Sequence, residues 1–456
     1  MTDKHLAVIN VVGLSSSLIS ETNTPFIHSL LNKLKLKSLE PVFPSVTTTA
    51  QSAILTGKMA NDHGIVGNGW YFDDLAEVAF WKQNSRLVQS PKIWEVLKQQ
   101  YPNFSCANSF WWYNMYSSVD YSMTPRPHYP ADGRKILDLY SYPAQFHYQI
   151  EESIGKFPFF NFWGPKADIN SSRWIANAAV EVQRLHMPNL HLIYLPHLDY
   201  NLQRLGPEDP KIKDDLVEID AVLKDLCCSL EQLNTDYILV SEYGIEAVNQ
   251  PVHINKFLRE NGYISVRSSD STELLDCGAS KAFAVADHQI AHIYVKDKQD
   301  IAQLRTSLQE LDGVEFVLDE EGKAQYGIAH KRAGDLILIA RKGAWFTYYY
   351  WLDDAKAPDF ARTIDIHRKP GYDPVEMFLD PDNKLLKAKI IWRLIQKKLG
   401  FRMLLDVIPL KPELVKGSHG RITQDKNHWP VVIASKECLE NKEKLTDLFE
   451  VIADYF

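Results

Sequence analysis

Phe43-Pro-Ser-Val-Thr-Thr-Thr-Ala-Gln-Ser-Ala-Ile-Leu-Thr-Gly57, followed by His63-Gly-Ile-Val-Gly-Asn68, decides how this chain is read. Pro44 and Ser45 favour an extended or turning entry, the threonines suit an N-cap, and Ala50 to Leu55 make a short helix that Gly57 closes. A hydroxyl at such a helix start meets free N–H groups and partial positive charge, which favour phosphate oxygens. A plain capping threonine fits the same local pattern, so the surrounding chain has to decide.

Outward from that segment, short β-branched runs at Leu6 to Val12, Leu190 to Leu195, Tyr237 to Val240 and Asp335 to Ala340 alternate with helical periods at Ser172 to Leu185 and Ile212 to Leu230. Apolar strands between helices predict an α/β fold, a three-layer sandwich around a mostly parallel central sheet, with ligands at the carboxyl ends of the strands. Strands near Leu6, Leu190, Tyr237 and Ala282 are expected in that one sheet. At 456 residues the expectation is one large domain, 1–456, with inserted lobes. Residues 102–163, rich in Trp, Tyr and Pro with weak periodicity, read as an aromatic insertion or lid, and 299–327 as a possible small insertion. A helix is expected from Lys384 to Leu399, before a loop from Lys411 to Trp429.

A net charge of −8 without any concentrated run of Lys and Arg argues against a nucleic-acid duplex as partner. Five cysteines without a CxxC pair read as reduced thiols and point to the cytoplasm. No apolar run approaches the length of a membrane span, and the Leu6 to Leu14 run lacks the basic lead of a signal peptide.

Four further motifs follow in order. Tyr194-Leu-Pro-His-Leu-Asp199 continues to Gln203 and Gly206-Pro207; Tyr237-Ile-Leu-Val-Ser leads to Glu242-Tyr243-Gly244; Val11-Val12-Gly13 ends the first strand; and Lys416-Gly-Ser-His419-Gly420 comes late. With the opening segment, these resemble the alkaline-phosphatase superfamily, in its nucleotide pyrophosphatase/phosphodiesterase and phosphonoacetate hydrolase branch. The resemblance implies an alkaline-phosphatase-like sheet, Thr47 as nucleophile, Asp199, Glu242 and His419 as metal ligands, Asn68 near the substrate, and zinc or manganese as one or two ions. It implies a small-molecule phosphate ester or phosphonate as substrate.

This sequence departs from the family pattern at ligand positions. Val12 stands where a carboxylate is expected, Gln203 and Tyr243 where imidazoles are expected, and Ala50 where many members have Asn. Two Asp/His clusters offer replacements: Asp287-His288 and Asp365-Ile-His367-Arg368-Lys369. His288 or His367 would complete a metal set with Asp199 and His419, while Arg368 and Lys369 would alternatively bind phosphate oxygens. The expected function is a metal-dependent hydrolase of phosphate diesters, nucleotide pyrophosphates or phosphonates; the alternatives are a non-catalytic phosphate-ligand-binding protein and a phosphoryl transferase. Thr47, Asp199, Glu242 and His419 are expected to converge at the sheet edge.

Overall fold

The computed structural model describes residues 3–131 and 135–456. Its strands, labelled in chain order, are β1 (Leu6–Val11), β2 (Lys35–Ser38), β3 (Cys106–Ser109), β4 (Tyr121–Pro125), β5 (Leu139–Tyr142), β6 (Leu190–Leu195), β7 (Asp236–Val240), β8 (Ala282–Asp287), β9 (Ile290–Val295), β10 (Val314–Leu318), β11 (Leu336–Ala340) and β12 (Val431–Ala434), smaller pairs aside. The helices that matter for the site are α1 (Thr47–Thr56), α2 (Ile169–His186), α3 (His197–Leu205), α4 (Ile212–Gln232) and, further along, α5 (Leu386–Lys398).

Every residue of β1 and β6 is buried, so both faces of the pleat are covered. The central sheet has eight strands in the order β2-β12-β7-β1-β6-β3-β4-β5. The five strands from β7 to β4 run parallel, and the flanking partners β12 and β5 run antiparallel. β1 lies between β6 and β7, with Asn10 level with Tyr194 on one side and Val240 on the other. The carboxyl ends of these three strands therefore meet at one edge. α2 and α4 pack on each other through their apolar stripes, and the sheet and its helices share one continuous core. Gly57 ends α1 at φ 66°, and a Cβ there would lie 3.0 Å from the Cβ of Phe449, so glycine is needed for both shape and space.

Two expectations are corrected. Residues 102–163 are no separate lobe: they supply β3, β4 and β5 to the central sheet. Strands of four or five residues among prolines and aromatic rings are too short to print a period. The runs at Ala282 and Asp335 form β8 and β11 of a second, four-stranded antiparallel sheet in the order β8-β9-β11-β10, not part of the first. β8 is buried along its whole length, which reads like a central parallel strand, but it turns at His288 (φ 62°) straight back into β9. The segment 299–327, read as a possible small insertion, holds two helices, Ile301–Gln309 and Glu320–Gln325, and β10, an edge strand of that second sheet.

Candidate active site

α1 enters the core with all ten of its residues buried, and its N-cap is Val46, whose side chain cannot cap. The three threonines thus have other tasks. Thr48 donates its hydroxyl to Gly67 O (2.8 Å) and Thr49 to Ile65 O (3.0 Å), so both tie α1 to the following loop. Thr47 alone turns to the strand ends: its Oγ1 lies 3.0 Å from the phenol of Tyr243.

The residues picked from sequence at the ends of β1, β6 and β7 meet there. The Tyr243 hydroxyl donates to Asp199 Oδ1 (3.2 Å), while Gln203 Nε2 donates to Asp199 Oδ2 (2.7 Å). Glu242 Oε1 accepts from Gln51 Nε2 (2.6 Å) and from the side-chain amide of Asn10. His419 packs flat on Tyr243, with ring centroids 3.6 Å apart, and its Nδ1 bonds Ser45 O at 2.8 Å. Its Nε2 has no hydrogen-bond partner and lies 4.0 Å from Asp199 Oδ1. His288 reaches the flank of the site, stacked between His419 and Tyr372, but its Nδ1 is turned to Asp287 Oδ1 (2.8 Å).

Burial governs the electrostatics. It pushes Asp199 up to about 7 and Glu242 up to about 8, against the opposing hydrogen bonds from Gln203 and Tyr243 and from Gln51 and Asn10. Burial likewise drives the His419 imidazole well below its ordinary value, helped by His288, and raises the Tyr243 phenol far above its own. The site is thus an acid-rich pocket with neutral imidazoles and a neutral phenol. It is also closed: Glu242 is fully buried and Thr47 is 4% exposed. One cleft opens on His419 beside Ser45, Gly244, Gln289 and Arg421.

These donors do not fit the two-ion centre that the family resemblance implies. Val12 offers no ligand atom, Gln203 spends its amide on Asp199 and Tyr372, and the un-ionised Tyr243 phenol lies between Thr47 and Asp199. A single ion fits better. The unpartnered His419 Nε2 faces Asp199 Oδ1 across a gap that two bonds of roughly 2.0–2.2 Å would nearly span, and the carbonyl bond at Nδ1 leaves Nε2 with the lone pair. Among the described residues, the one His/Cys/Asp/Glu trio with ligand atoms all within 4.8 Å is elsewhere, at His197, Asp215 and Glu218.

The 365–373 loop does not compensate. His367 and Arg368 are exposed, and Arg368 faces Asp359 and Asp365. Lys369 is buried but held by Asp373 and Glu376, each at 2.7 Å, so its charge is already spent. Among the described residues no hydrogen bond or ion pair joins His367, Arg368 or Lys369 to Thr47, Asp199, Glu242 or His419, so the loop is not seen to complete the donor set. Asn68 has both amide atoms engaged, accepting from Thr48 N (3.1 Å) and donating to Asp287 Oδ1 (3.0 Å); it braces the start of α1. The sequence reading missed Gln51 and Tyr372. Gln51 sits one turn after Thr47, the same-face spacing that marks it in hindsight, and also accepts from Trp112 N at 2.7 Å. Tyr372 carried no signal.

Among known proteins, the chain is 24% identical over 278 residues to ectonucleotide pyrophosphatase/phosphodiesterase 1 of Saccharomyces cerevisiae, covering 54% of this chain and 34% of that protein. It is 25% identical over 243 residues to an uncharacterized pyrophosphatase/phosphodiesterase of Schizosaccharomyces pombe, covering 52% and 44%. The chain thus spans between about a third and a half of the length of these curated relatives. Two solved structures share its fold. Inactive murine ectonucleotide pyrophosphatase/phosphodiesterase 5, a threonine-to-alanine form in complex with AMP, superposes with TM-score 0.58 at 13% identity, covering 99% of this chain and 94% of that one. Phosphonoacetate hydrolase from Sinorhizobium meliloti in complex with phosphonoformate gives 0.61 at 12%, covering 98% and 95%. Residues 6–373 match the family model described as type I phosphodiesterase / nucleotide pyrophosphatase. A match over most of the chain, on this fold and with these motifs in order, means that the chain belongs to the type I phosphodiesterase / nucleotide pyrophosphatase family.

Proposed function

We propose that this chain hydrolyses phosphate diesters, nucleotide pyrophosphates or phosphonates through a covalent bond to Thr47. The observation that carries the reading is the placement of Thr47 in the first turn of α1, its hydroxyl 3.0 Å from the Tyr243 phenol, with the buried Glu242, whose Oε2 has no hydrogen-bond partner among the described residues, close by. In the first step Thr47 Oγ1 attacks phosphorus, its proton passes to Glu242, and the bond from phosphorus to the leaving atom breaks with its electron pair on that atom. Water then attacks phospho-Thr47, the bond from phosphorus to Thr47 Oγ1 breaks with its electron pair on Oγ1, which takes its proton back from Glu242, and the proton of the attacking water leaves with the released phosphoryl product or solvent. With Glu242 held near 8, the ionised carboxylate that takes this proton is the minor form at neutral pH and grows as pH rises through 8, so turnover should rise over that range. A zinc or manganese ion between Asp199 and His419 would supply positive charge against the phosphoryl oxygens. Relatives that bear phosphodiesterase names, and a murine relative inactivated by a threonine-to-alanine change, support the reading. Five free cysteines support a reducing, cytoplasmic setting.

The test compares Thr47→Ala, Thr48→Ala and Thr49→Ala on an activated aryl phosphodiester with zinc or manganese present. Thr47→Ala is expected to abolish turnover; it also loses a buried hydrogen bond, but the Tyr243 phenol keeps Asp199 as partner, so the stability loss should be about 1 kcal/mol. Thr48→Ala and Thr49→Ala each lose a buried hydrogen bond and should lower stability by roughly 1–3 kcal/mol while keeping activity. Activity that survives Thr47→Ala would overturn the proposal. The second reading, a phosphate-ligand-binding protein without turnover, is favoured by the Tyr243 phenol standing between Thr47 and Asp199. Wild-type protein inactive with every metal, yet protected from heat by a nucleotide, would establish it.

A further inference from the structure

α5 presents the wrong face to solvent. Its body-facing side carries Leu386 and Ile390, but also Lys389 and Arg393, which reach Asp406 at 2.7 and 3.3 Å. Its outward side and the residues just beyond carry Ile391, Trp392, Leu394, Ile395, Leu399 and Phe401, between 43% and 68% exposed. A globular helix normally buries such a stripe, and a contiguous exposed apolar patch marks an interaction site. Lys387 and Lys398 on that side, Lys397 in the last turn and Arg402 just beyond the helix are all exposed. Residues 384–405 hold seven Lys and Arg and no Asp or Glu, within a chain of net charge −8.

We propose that α5 and the residues to Arg402 form a docking surface for an anionic lipid bilayer, on which the helix lies flat. The occupant must offer apolar depth for Trp392, Leu399 and Phe401 and negative charge for the four flanking cations. The interfacial layer of an acidic membrane offers both. A second copy would set these cations, none of which has a carboxylate partner among the described residues, against their own symmetry mates, which opposes association. At 13 residues α5 is too short to cross a bilayer, and no helix among the described residues is long and apolar enough to do so.

The experiment is flotation of the full chain with vesicles of phosphatidylcholine alone and of phosphatidylcholine mixed with phosphatidylserine. Binding is expected only to the mixed vesicles, with release at about 1 M salt. Replacing Lys387, Lys397, Lys398 and Arg402 together by Gln should weaken binding by about two orders of magnitude or more, roughly fivefold per charge. Trp392→Ser with Phe401→Ser should abolish it at unchanged circular dichroism and Tm, since both side chains are exposed. Absent binding to the mixed vesicles, or equal binding to neutral ones, overturns the proposal. So does a dimer in sedimentation that Trp392→Ser dissociates while wild type ignores vesicles, because the occupant is then a second copy. Phosphoesterase activity does not enter any of these outcomes.

Discussion

Asp199 and Glu242 hold protons that a carboxyl in water would release near pH 4. With the folded values pushed up to about 7 and about 8, the unfolded chain ionises first as pH rises. Their contribution is fully present below about pH 4 and is lost as pH climbs through 7 and 8. In metal-free protein, Glu242→Gln should therefore gain stability over wild type between pH 5 and pH 9, by on the order of 2–4 kcal/mol. Chemical denaturation across that range checks it, and a pH-independent difference would show that Glu242 is ionised throughout. Tyr243 and Gln203 invite the opposite test. Restoring imidazoles with Tyr243→His and Gln203→His removes the phenol from beside Thr47 and adds two nitrogen ligands. The double variant should bind zinc at least about tenfold more tightly, read by competition with a chromogenic chelator. Unchanged affinity would mean that these side chains are not what limits the metal.

The 365–373 loop shows how far an element can depart from its sequence signal. Asp, His, Arg and Lys on a Pro-Gly loop looked like a ligand or phosphate site, yet Lys369 folds inward to Asp373 and Glu376. Sequence could not decide which way that side chain turns, because its partners lie four and seven residues on along an irregular loop. Lys369→Met should cost roughly 3–5 kcal/mol by stranding two buried carboxylates, while leaving KM unchanged in any variant that still folds. A raised KM without loss of Tm would return Lys369 to the substrate. α1 kept closer to its signal: its end at Gly57 was legible, but it starts at Thr47, three residues before the run read as helix and with Val46 rather than a threonine as N-cap, and the roles of Thr48 and Thr49 needed the structure. β8 misled because complete burial gives the same apolar run in a hairpin as in a parallel strand.

Across the whole molecule, the parallel core was readable because β1, β6 and β7 are continuous apolar runs each leading into a motif at its carboxyl end. The convergence of Thr47, Asp199, Glu242 and His419 was readable for the same reason. The short strands β3 to β5 and the second sheet were not, since their partners are distant in sequence and their periods brief. The remodelled donor set predicts metal content: protein purified without chelator should carry about one ion per chain or fewer, against two for an intact pair of sites. Elemental analysis settles that count, and two tightly held ions would contradict the site as described. The most direct test of the account is to trap the covalent intermediate. Wild-type protein is mixed with an activated aryl phosphodiester, quenched in acid within a turnover and mapped by mass spectrometry. The account predicts a phosphoryl adduct on the peptide bearing Thr47, absent from Thr47→Ala; hydrolysis that proceeds with no adduct there, or with the adduct on another residue, would contradict it.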